Sequence, residues 1–310
     1  MARPAKKPVR SARTKKQHPW KLILALFLLL AIASTAVGMR IAANVVHVRH
    51  TDVYLQDLPA GFDGTTVLFI SDPDILSDSS LGSVRKLMRR LQALKPDLLI
   101  LGGDYTADPL LDTLNRGGDA FEDPDKTRRA ADFFESLSEF IAPMGKYAVL
   151  SGEDPDRDEL AEAARAGSVR ILQDEVCPVT RGGDRIYLAA TGTSSDLSDI
   201  AGRVSGRDCV IACAHSCSAL TGIQIAEADG GGQWADLALF GGSHGGQIRI
   251  GKRTLVAMND RELQYPGGWY TENGLKLLVS EGLGCESVRM RLGTCSEVHF
   301  LTLRCGEAEN

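Results

Sequence analysis

The chain has 310 residues, of which 44% are apolar and 24% are charged, and its formal net charge is −5. This composition is typical of a folded protein, and the length is sufficient for one large domain or two small ones. Residues 1–21 contain eight Lys and Arg and no acid, so the remaining residues carry a charge of −13. Such an acidic body argues against nucleic-acid binding, which requires a basic face.

An apolar run of 18 residues, 22–39, follows the basic tail. Its length is close to that of a membrane-spanning helix, and the positive charges before it predict a cytoplasmic N-terminus. A cleaved signal peptide is the alternative, because Ala31-Ile32-Ala33 has the small residues of a cleavage site. We expect a single-pass protein of the cell membrane with a basic cytoplasmic tail at 1–21, a transmembrane anchor at 22–39, a linker or first strand at 40–54 and an extracytoplasmic domain at 55–305.

The first half of the domain alternates apolar runs, which predict buried strands, with helical spacing. Three strand–helix repeats indicate a parallel sheet flanked by helices. In chain order we expect an extended segment at 45–54, a strand at 66–71, a helix at 80–94, a strand at 97–101, a loop at 107–126, a helix at 127–141, a strand at 146–150 and a helix at 156–166.

The second half contains more strands than helices. Two sheets packed face to face, with helices outside, would accommodate all of them. The expected strands lie at 169–172, 185–190, 209–213, 236–240, 247–250, 275–280, 288–291 and 297–303.

Polar residues follow several of these strands directly. They are Asp72, Asp104, Glu153, His215 and His244. Ligands of open α/β sheets bind at the carboxyl ends of the strands, so these side chains are expected to lie close together. Carboxylates and imidazoles gathered in this way form metal sites, and two-metal sites are suited to phosphate-ester hydrolysis.

The motifs around these residues resemble those of the calcineurin-like metallophosphoesterases. The last motif is similar to the Gly-His-Thr-His-Gly-Gly-Gln signature of a membrane-associated bacterial branch of that family. The resemblance covers about residues 55–303 and implies a four-layer α/β/β/α sandwich that holds two metal ions. The motifs are Ser71-Asp72-Pro73-Asp74, Gly102-Gly103-Asp104, Ser151-Gly152-Glu153-Asp154, Ala214-His215-Ser216 and Gly241-Gly242-Ser243-His244-Gly245-Gly246-Gln247.

By position, the resemblance implies two sets of metal ligands that share one carboxylate. The first metal would take Asp72, Asp74, Asp104 and His244. The second would share Asp104 and take His215 together with the residues at positions 153 and 242.

The chain departs from the family pattern at several of these positions. Asp74 and Gly242 replace His residues, and Glu153 replaces Asn. Asp154 stands where the family has the His that assists the leaving group, and Asp108 lies one residue later than the family's second Asp. A carboxylic acid at position 154 donates a proton only if its pKa is raised enough to keep it neutral.

These substitutions change the expected charge of the site. Four carboxylates, Asp72, Asp74, Asp104 and Glu153, would balance two divalent ions, and an ionised Asp154 would add a further negative charge. A neutral site attracts a phosphodiester anion less strongly, and it lowers the pKa of a bridging water less. The substitutions therefore predict weakened catalysis.

Two functions follow as alternatives. The first is a membrane-anchored, metal-dependent phosphoesterase that hydrolyses a phosphodiester or pyrophosphate in a phosphorylated small molecule or a lipid-linked phosphate. The second is a catalytically silent relative that binds a ligand or a protein. One or two divalent ions are expected, with Mn or Mg favoured over Fe or Zn because the ligands are rich in oxygen.

The chain has seven cysteines, an odd number. Outside the membrane they could form disulfides, and Cys285 with Cys295 is the first pair to test. Cys209, Cys213 and Cys217 surround His215, but their spacing is not that of a zinc site. We expect them to pack as small apolar side chains.

Overall fold

The computed structural model describes residues 19–107, 124–192, 196–251, 253–254, 258–286 and 288–306. Residues 1–18 of the basic tail, most of the expected loop at 107–126 and Asp108 lie outside the described residues. The chain divides into two compact units, Met1–Gly38 and Met39–Asn310.

The first unit contributes most of helix α1 (Pro19–Ala42), whose last turn belongs to the second unit. Large apolar side chains such as Leu22 and Phe27 are exposed along it. The segment Trp20–Ala42 is long and apolar enough to cross a membrane, and a signal sequence near an N-terminus has the same properties.

Six strands form the first sheet of the second unit. They are β1 (Val46–Leu55), β2 (Thr66–Ile70), β3 (Leu98–Leu101), β4 (Lys146–Ala148), β5 (Val169–Ile171) and β14 (Ser296–Cys305). Their order across the sheet is β1-β14-β2-β3-β4-β5. Only the pairing of β14 with β2 is antiparallel among these strands.

Six further strands form the second sheet. They are β6 (Glu175–Arg181), β7 (Asp184–Ala190), β8 (Val210–Ser216), β9 (Leu237–Gly241), β12 (Gly268–Glu272) and β13 (Leu275–Val279). Their order is β12-β13-β9-β8-β7-β6, with a parallel centre and an antiparallel strand at each edge. A separate ribbon pairs β10 (Arg249–Ile250) with β11 (Arg253–Thr254).

Helices connect the strands of both sheets. The helix α2 begins after a capping box in which Ser77 and Ser80 exchange side-chain and backbone hydrogen bonds. The helices are α2 (Asp78–Leu91), α3 (Pro124–Ser136), α4 (Arg157–Ala166), α5 (Ser198–Ala201), α6 (Leu220–Ile225) and α7 (Asp260–Gln264).

Buried apolar residues form three clusters. One contains residues of both sheets, including Val67 and Leu98 from the first and Ile186 and Leu237 from the second. A second cluster joins the first sheet to α2, α3 and α4, and a third joins the second sheet to α5 and α6. The protein is therefore a mixed α/β protein with two six-stranded sheets and one N-terminal apolar helix.

The structure differs from the expected elements mainly at the sheet edges. The strands β6 and β12 were not predicted, because an edge strand with exposed alternate residues lacks a continuous apolar run; β6 even contains Pro178. The prediction of a strand at 288–291 is wrong, because the described residues of that segment are irregular. Its Arg291 points inward to backbone carbonyl groups.

All seven cysteines are free thiols in the structure. Cys285 and Cys295, the candidate disulfide pair, are therefore not bonded to each other. Cys209, Cys213 and Cys217 are buried among apolar residues, which confirms the expectation that they act as core side chains.

Candidate metal centre

The polar residues that follow the strands have an unusual backbone conformation. Asp72, Asp74, Asp104 and His244 have φ angles of 52°, 46°, 53° and 48°. Residues other than glycine rarely adopt this left-handed conformation, which costs roughly 1–3 kcal/mol each and concentrates at functional sites. Four such residues in neighbouring loops therefore indicate a site that the fold holds in place at a cost to stability.

Two groups of potential ligands share the carboxylate of Asp104. In the first, Nε2 of His215 lies 3.2 Å from Oδ2 of Asp104, and Nδ1 of His215 lies 3.8 Å from Oδ1 of Asp72. In the second, Nδ1 of His244 lies 3.4 Å from Oδ2 of Asp74, and its Nε2 lies 3.9 Å from Oδ2 of Asp104. Each group brings two carboxylates and one imidazole together.

The grouping differs from the ligand sets that the family resemblance implies. The structure groups Asp72 with His215, whereas the resemblance places Asp72 beside Asp74 and His244. Asp104 is common to both groups, as the resemblance implies for the shared ligand.

Several polar atoms of the two groups are buried without a hydrogen-bond partner. Among the described residues they include Asp72 Oδ2, Asp74 Oδ2, Asp104 Oδ1 and His244 Nδ1. A buried polar atom without a partner costs about 1–3 kcal/mol. A cation bound between these atoms would give them the partner that they lack. Two ligand atoms of one ion lie up to about 4.2 Å apart, which is twice the length of a metal–ligand bond of about 2.1 Å. The residues therefore fit a divalent metal, which could be bound here.

The orientation of His215 is fixed by a backbone contact. Its Nδ1 lies 2.9 Å from the carbonyl oxygen of Gly102. A carbonyl oxygen only accepts hydrogen bonds, so Nδ1 carries a hydrogen and Nε2 is the atom directed at Asp104. Metal-binding histidines are commonly oriented by such a contact to the second nitrogen.

His215 and Asp104 also set each other's charge. Burial opposes protonation of His215, but the charge of Asp104 and their hydrogen bond raise the pKa of His215 to about 10. Burial likewise opposes ionisation of Asp104, yet the charge and hydrogen bond of His215, with smaller contributions from Ser151 and His244, together hold the pKa of Asp104 well below its usual range. Metal binding at Nε2 thus requires loss of a proton that the pair retains at neutral pH.

Asp74 is buried among anionic neighbours. Burial, followed by the charges of Asp104 and Asp72, raises its pKa well above the usual range of a carboxyl group. Like-charged carboxylates in one site cannot all ionise without a counter-charge. This crowding favours a cation in the second group.

Asp154 holds the Asp104 loop in place. Its Oδ2 accepts from the N–H of Asp104 and of Ser151, both at 2.9 Å, and its Oδ1 accepts from the N–H of Tyr105 at 2.7 Å. Burial and the charge of Asp104 raise the pKa of Asp154 to about 6, against these donors. The contacts fit a positioning carboxylate. Its role as a proton donor stays a prediction.

Two other positions at which the sequence analysis expected metal ligands, 153 and 242, contribute no ligand atom to the two groups. Glu153 is exposed, and it is absent from the described groups. Gly242 has φ +76°, and a Cβ there would lie 3.0 Å from Nε2 of His215. The position therefore has no room for the His of the family pattern unless His215 moves. Instead, the N–H of Gly242 donates to Oδ1 of Asp72 at 2.8 Å.

Arg291 supports the loops around the site, although it is not among the expected metal ligands. It is fully buried, and its guanidinium donates to the carbonyl oxygens of His244, Gly282, Gly284 and Cys295. The Gly282–Gly284 turn packs against the Asp72 loop, since the N–H of Leu283 donates to the carbonyl of Ser71. The segment 288–291, which was expected to be a strand, contains Arg289 and Arg291, and these charges were the available signal.

The fold and the site together define an α/β protein with one N-terminal apolar helix and a carboxylate–imidazole centre that could bind metal. No family model matches the chain, and no curated protein matches it. One solved structure is similar over 69% of this chain and 89% of its own, with 12% sequence identity and a TM-score of 0.43. A likeness this weak carries no argument about fold or function.

Proposed function

We propose that the protein is a membrane-anchored, metal-dependent phosphoesterase of the calcineurin-like type, acting on a phosphodiester or pyrophosphate. The observation that carries this proposal is the sharing of Asp104 by two carboxylate–imidazole groups. Paired metal sites with a common carboxylate are suited to phosphoryl chemistry, because two cations stabilise both the attacking and the leaving oxygen.

The three core clusters support the fold that this proposal requires. A core lined by both sheets, with helices packed on the far side of each, fits a four-layer α/β/β/α sandwich. The apolar helix Trp20–Ala42 would anchor this domain, with the basic tail in the cytoplasm and the domain outside.

The charge of the site is compatible with an anionic substrate. Glu153 is exposed, so three carboxylates, Asp72, Asp74 and Asp104, face two divalent ions and leave one positive charge. This is more favourable for a phosphodiester than the neutral site expected from the sequence. Manganese or magnesium suits the carboxylate-rich ligand set.

The alternative is a silent protein that uses the same site to bind a phosphorylated ligand. Two observations favour it. Both oxygens of Asp154 already accept backbone N–H groups, and Gly242 provides no side-chain ligand for a second metal ion.

Turnover of bis(p-nitrophenyl) phosphate by the detergent-solubilised full chain with Mn²⁺ separates the two. The enzyme predicts Mn²⁺-dependent release of nitrophenol, reduced more than about 100-fold by Asp104→Asn, since even supporting residues of metal sites contribute about 10- to 100-fold. Asp156→Asn, at a nearby exposed carboxylate, is the matched control and should retain the native rate. Absence of turnover with Mn²⁺, Mg²⁺, Fe²⁺ and Zn²⁺ would favour the silent protein.

A further inference from the structure

A cavity of about 490 Å³ lies beside the candidate metal centre. Its volume is within the range of about 300–1,000 Å³ that is usual for ligand sites. Asp74 and Pro73 form part of its wall, so the cavity reaches a residue of the second ligand group.

One face of helix α2 forms a long wall of this cavity. Val84, Leu87 and Leu91 lie on that face, at the spacing of three and four residues that aligns side chains along a helix. Within α2 the wall runs from Ser80 to Leu91, a length of about 16 Å at about 1.5 Å per residue, and it continues to Leu94. Val46 and Val48 of strand β1 also line the cavity. The cavity is therefore elongated and mainly apolar.

The cavity begins close to the end of the apolar helix in the chain. Ala43 and Asn44 line it, and helix α1 ends at Ala42. Consecutive Cα atoms are about 3.8 Å apart, so part of the wall lies within about 8 Å of the last helical residue. In the proposed membrane-anchored protein, the last residue of the anchor is therefore followed directly in the chain by residues of the cavity wall.

Cationic side chains border the apolar wall. Lys86, Arg90 and Arg289 line the cavity, and both α2 residues are exposed. In the described part of the chain no carboxylate lies within ion-pair distance of these three side chains. An apolar space with a cationic border complements a molecule that has a hydrocarbon chain and a phosphate.

We propose that this cavity holds the hydrocarbon chain of a phosphate-bearing membrane lipid, and that the phosphate end of that lipid is presented beside Asp74. The inference rests on the proposed function, because it names the substrate class of the same site. It commits to a lipid drawn from the membrane, and a peptide or a second copy of the chain in the cavity is an outcome that would overturn it.

The length of the substrate's alkyl group provides the first test. The full chain in phosphatidylcholine nanodiscs is given Mn²⁺ and p-nitrophenyl alkyl phosphodiesters with methyl, hexyl or dodecyl groups. Each methylene that enters the cavity is expected to raise kcat/KM by up to about fourfold, so the dodecyl-to-methyl ratio should exceed about 100. A ratio near one would overturn the inference while leaving the hydrolase intact.

A pair of tryptophan variants separates cavity binding from partition into the lipid. Leu87→Trp fills the cavity and should lower the dodecyl-to-methyl ratio at least about tenfold. Gly82→Trp lies on the same helix, at an exposed site where a Cβ meets no atom within 4 Å, and should keep the native ratio. Equal ratios in the two variants would overturn the inference, since partition into the nanodisc is the same for both.

A binding experiment does not depend on turnover. Dodecyl phosphate with a terminal diazirine is photolysed with the full chain in nanodiscs, and the labelled peptides are identified by mass spectrometry. Labels in residues 80–94 support the inference even if no diester is hydrolysed. In that case only the proposed hydrolase function fails. Labels confined to residues 20–42 indicate simple partition and would overturn it.

Discussion

The Nε2 atom of His215 lies 3.2 Å from Oδ2 of Asp104, and this contact joins the ends of strands from the two sheets. Asp104 follows β3 of the first sheet, and His215 lies at the end of β8 of the second. The same carboxylate also faces His244. The candidate metal centre is thus built across both sheets around one shared side chain.

Removing either imidazole should empty one site and leave the other. We expect His215→Ala and His244→Ala each to reduce bound Mn²⁺ from two ions per chain to one, because each residue belongs to only one group. Native mass spectrometry of the detergent-released full chain measures the number directly. His299→Ala, at a buried imidazole outside both groups, is the control and should keep both ions.

Asp154 should affect metal binding through the position of Asp104. The change Asp154→Asn replaces a charged acceptor of three backbone N–H groups by an amide. The loss of hydrogen bonds to a charged group should lower the free energy of unfolding by roughly 2–4 kcal/mol. It should also weaken Mn²⁺ binding about 10- to 100-fold. Urea unfolding and metal titration measure the two effects, and unchanged metal affinity would contradict the positioning role.

Arg291 should be important for stability as well as for the site. Arg291→Leu leaves the carbonyl oxygens of His244, Gly282, Gly284 and Cys295 without their donor. We expect a loss of roughly 3–5 kcal/mol in the free energy of unfolding, as for other buried charged networks. The exposed Arg207 is a suitable control, and Arg207→Leu should change stability by less than about 0.5 kcal/mol.

The raised pKa of Asp236 predicts that the stability of the protein depends on pH at a site away from the metal centre. Burial and the nearby Asp57 raise its pKa from 3.8 to about 7, although its Oδ2 accepts from the N–H of Val210. The folded protein therefore binds this proton more tightly than the unfolded chain, and the stability it contributes below about pH 4 is lost as the pH rises towards 7.

Asp236→Asn should remove that loss and keep the acceptor for Val210. We expect the variant to be more stable than the native protein by roughly 1–3 kcal/mol at pH 8 and similar to it at pH 4. Urea unfolding followed by the fluorescence of Trp234, which is buried nearby, measures the difference. An equal difference at both pH values would show that Asp236 does not titrate as described, and Asp199→Asn provides an exposed control.

Much of the fold was predictable from the sequence. The central strands β2, β3, β8, β9 and β13 are mostly apolar and buried, and this leaves little freedom in their assignment. The edge strands of the second sheet, β6 and β12, were not predictable in this way, because their exposed faces carry polar residues. The role of Arg291 was also hidden, since its partners are backbone groups from distant loops.

The site was partly predictable for a related reason. Strand ends bring Asp72, Asp104, His215 and His244 to one place, and the order of elements is sufficient to infer this. The direction of each side chain depends on loop geometry. Hence the sequence did not reveal that Asp154 turns towards backbone N–H groups while Glu153 faces solvent.

The number of Mn²⁺ ions bound by the full chain tests the central claim most directly. Native mass spectrometry, with elemental analysis on the same sample, should find two ions in the native protein and none in Asp104→Asn, because that carboxylate belongs to both groups. A native protein that binds no divalent ion at millimolar concentration, or an Asp104→Asn variant that retains both, would contradict the account of this centre.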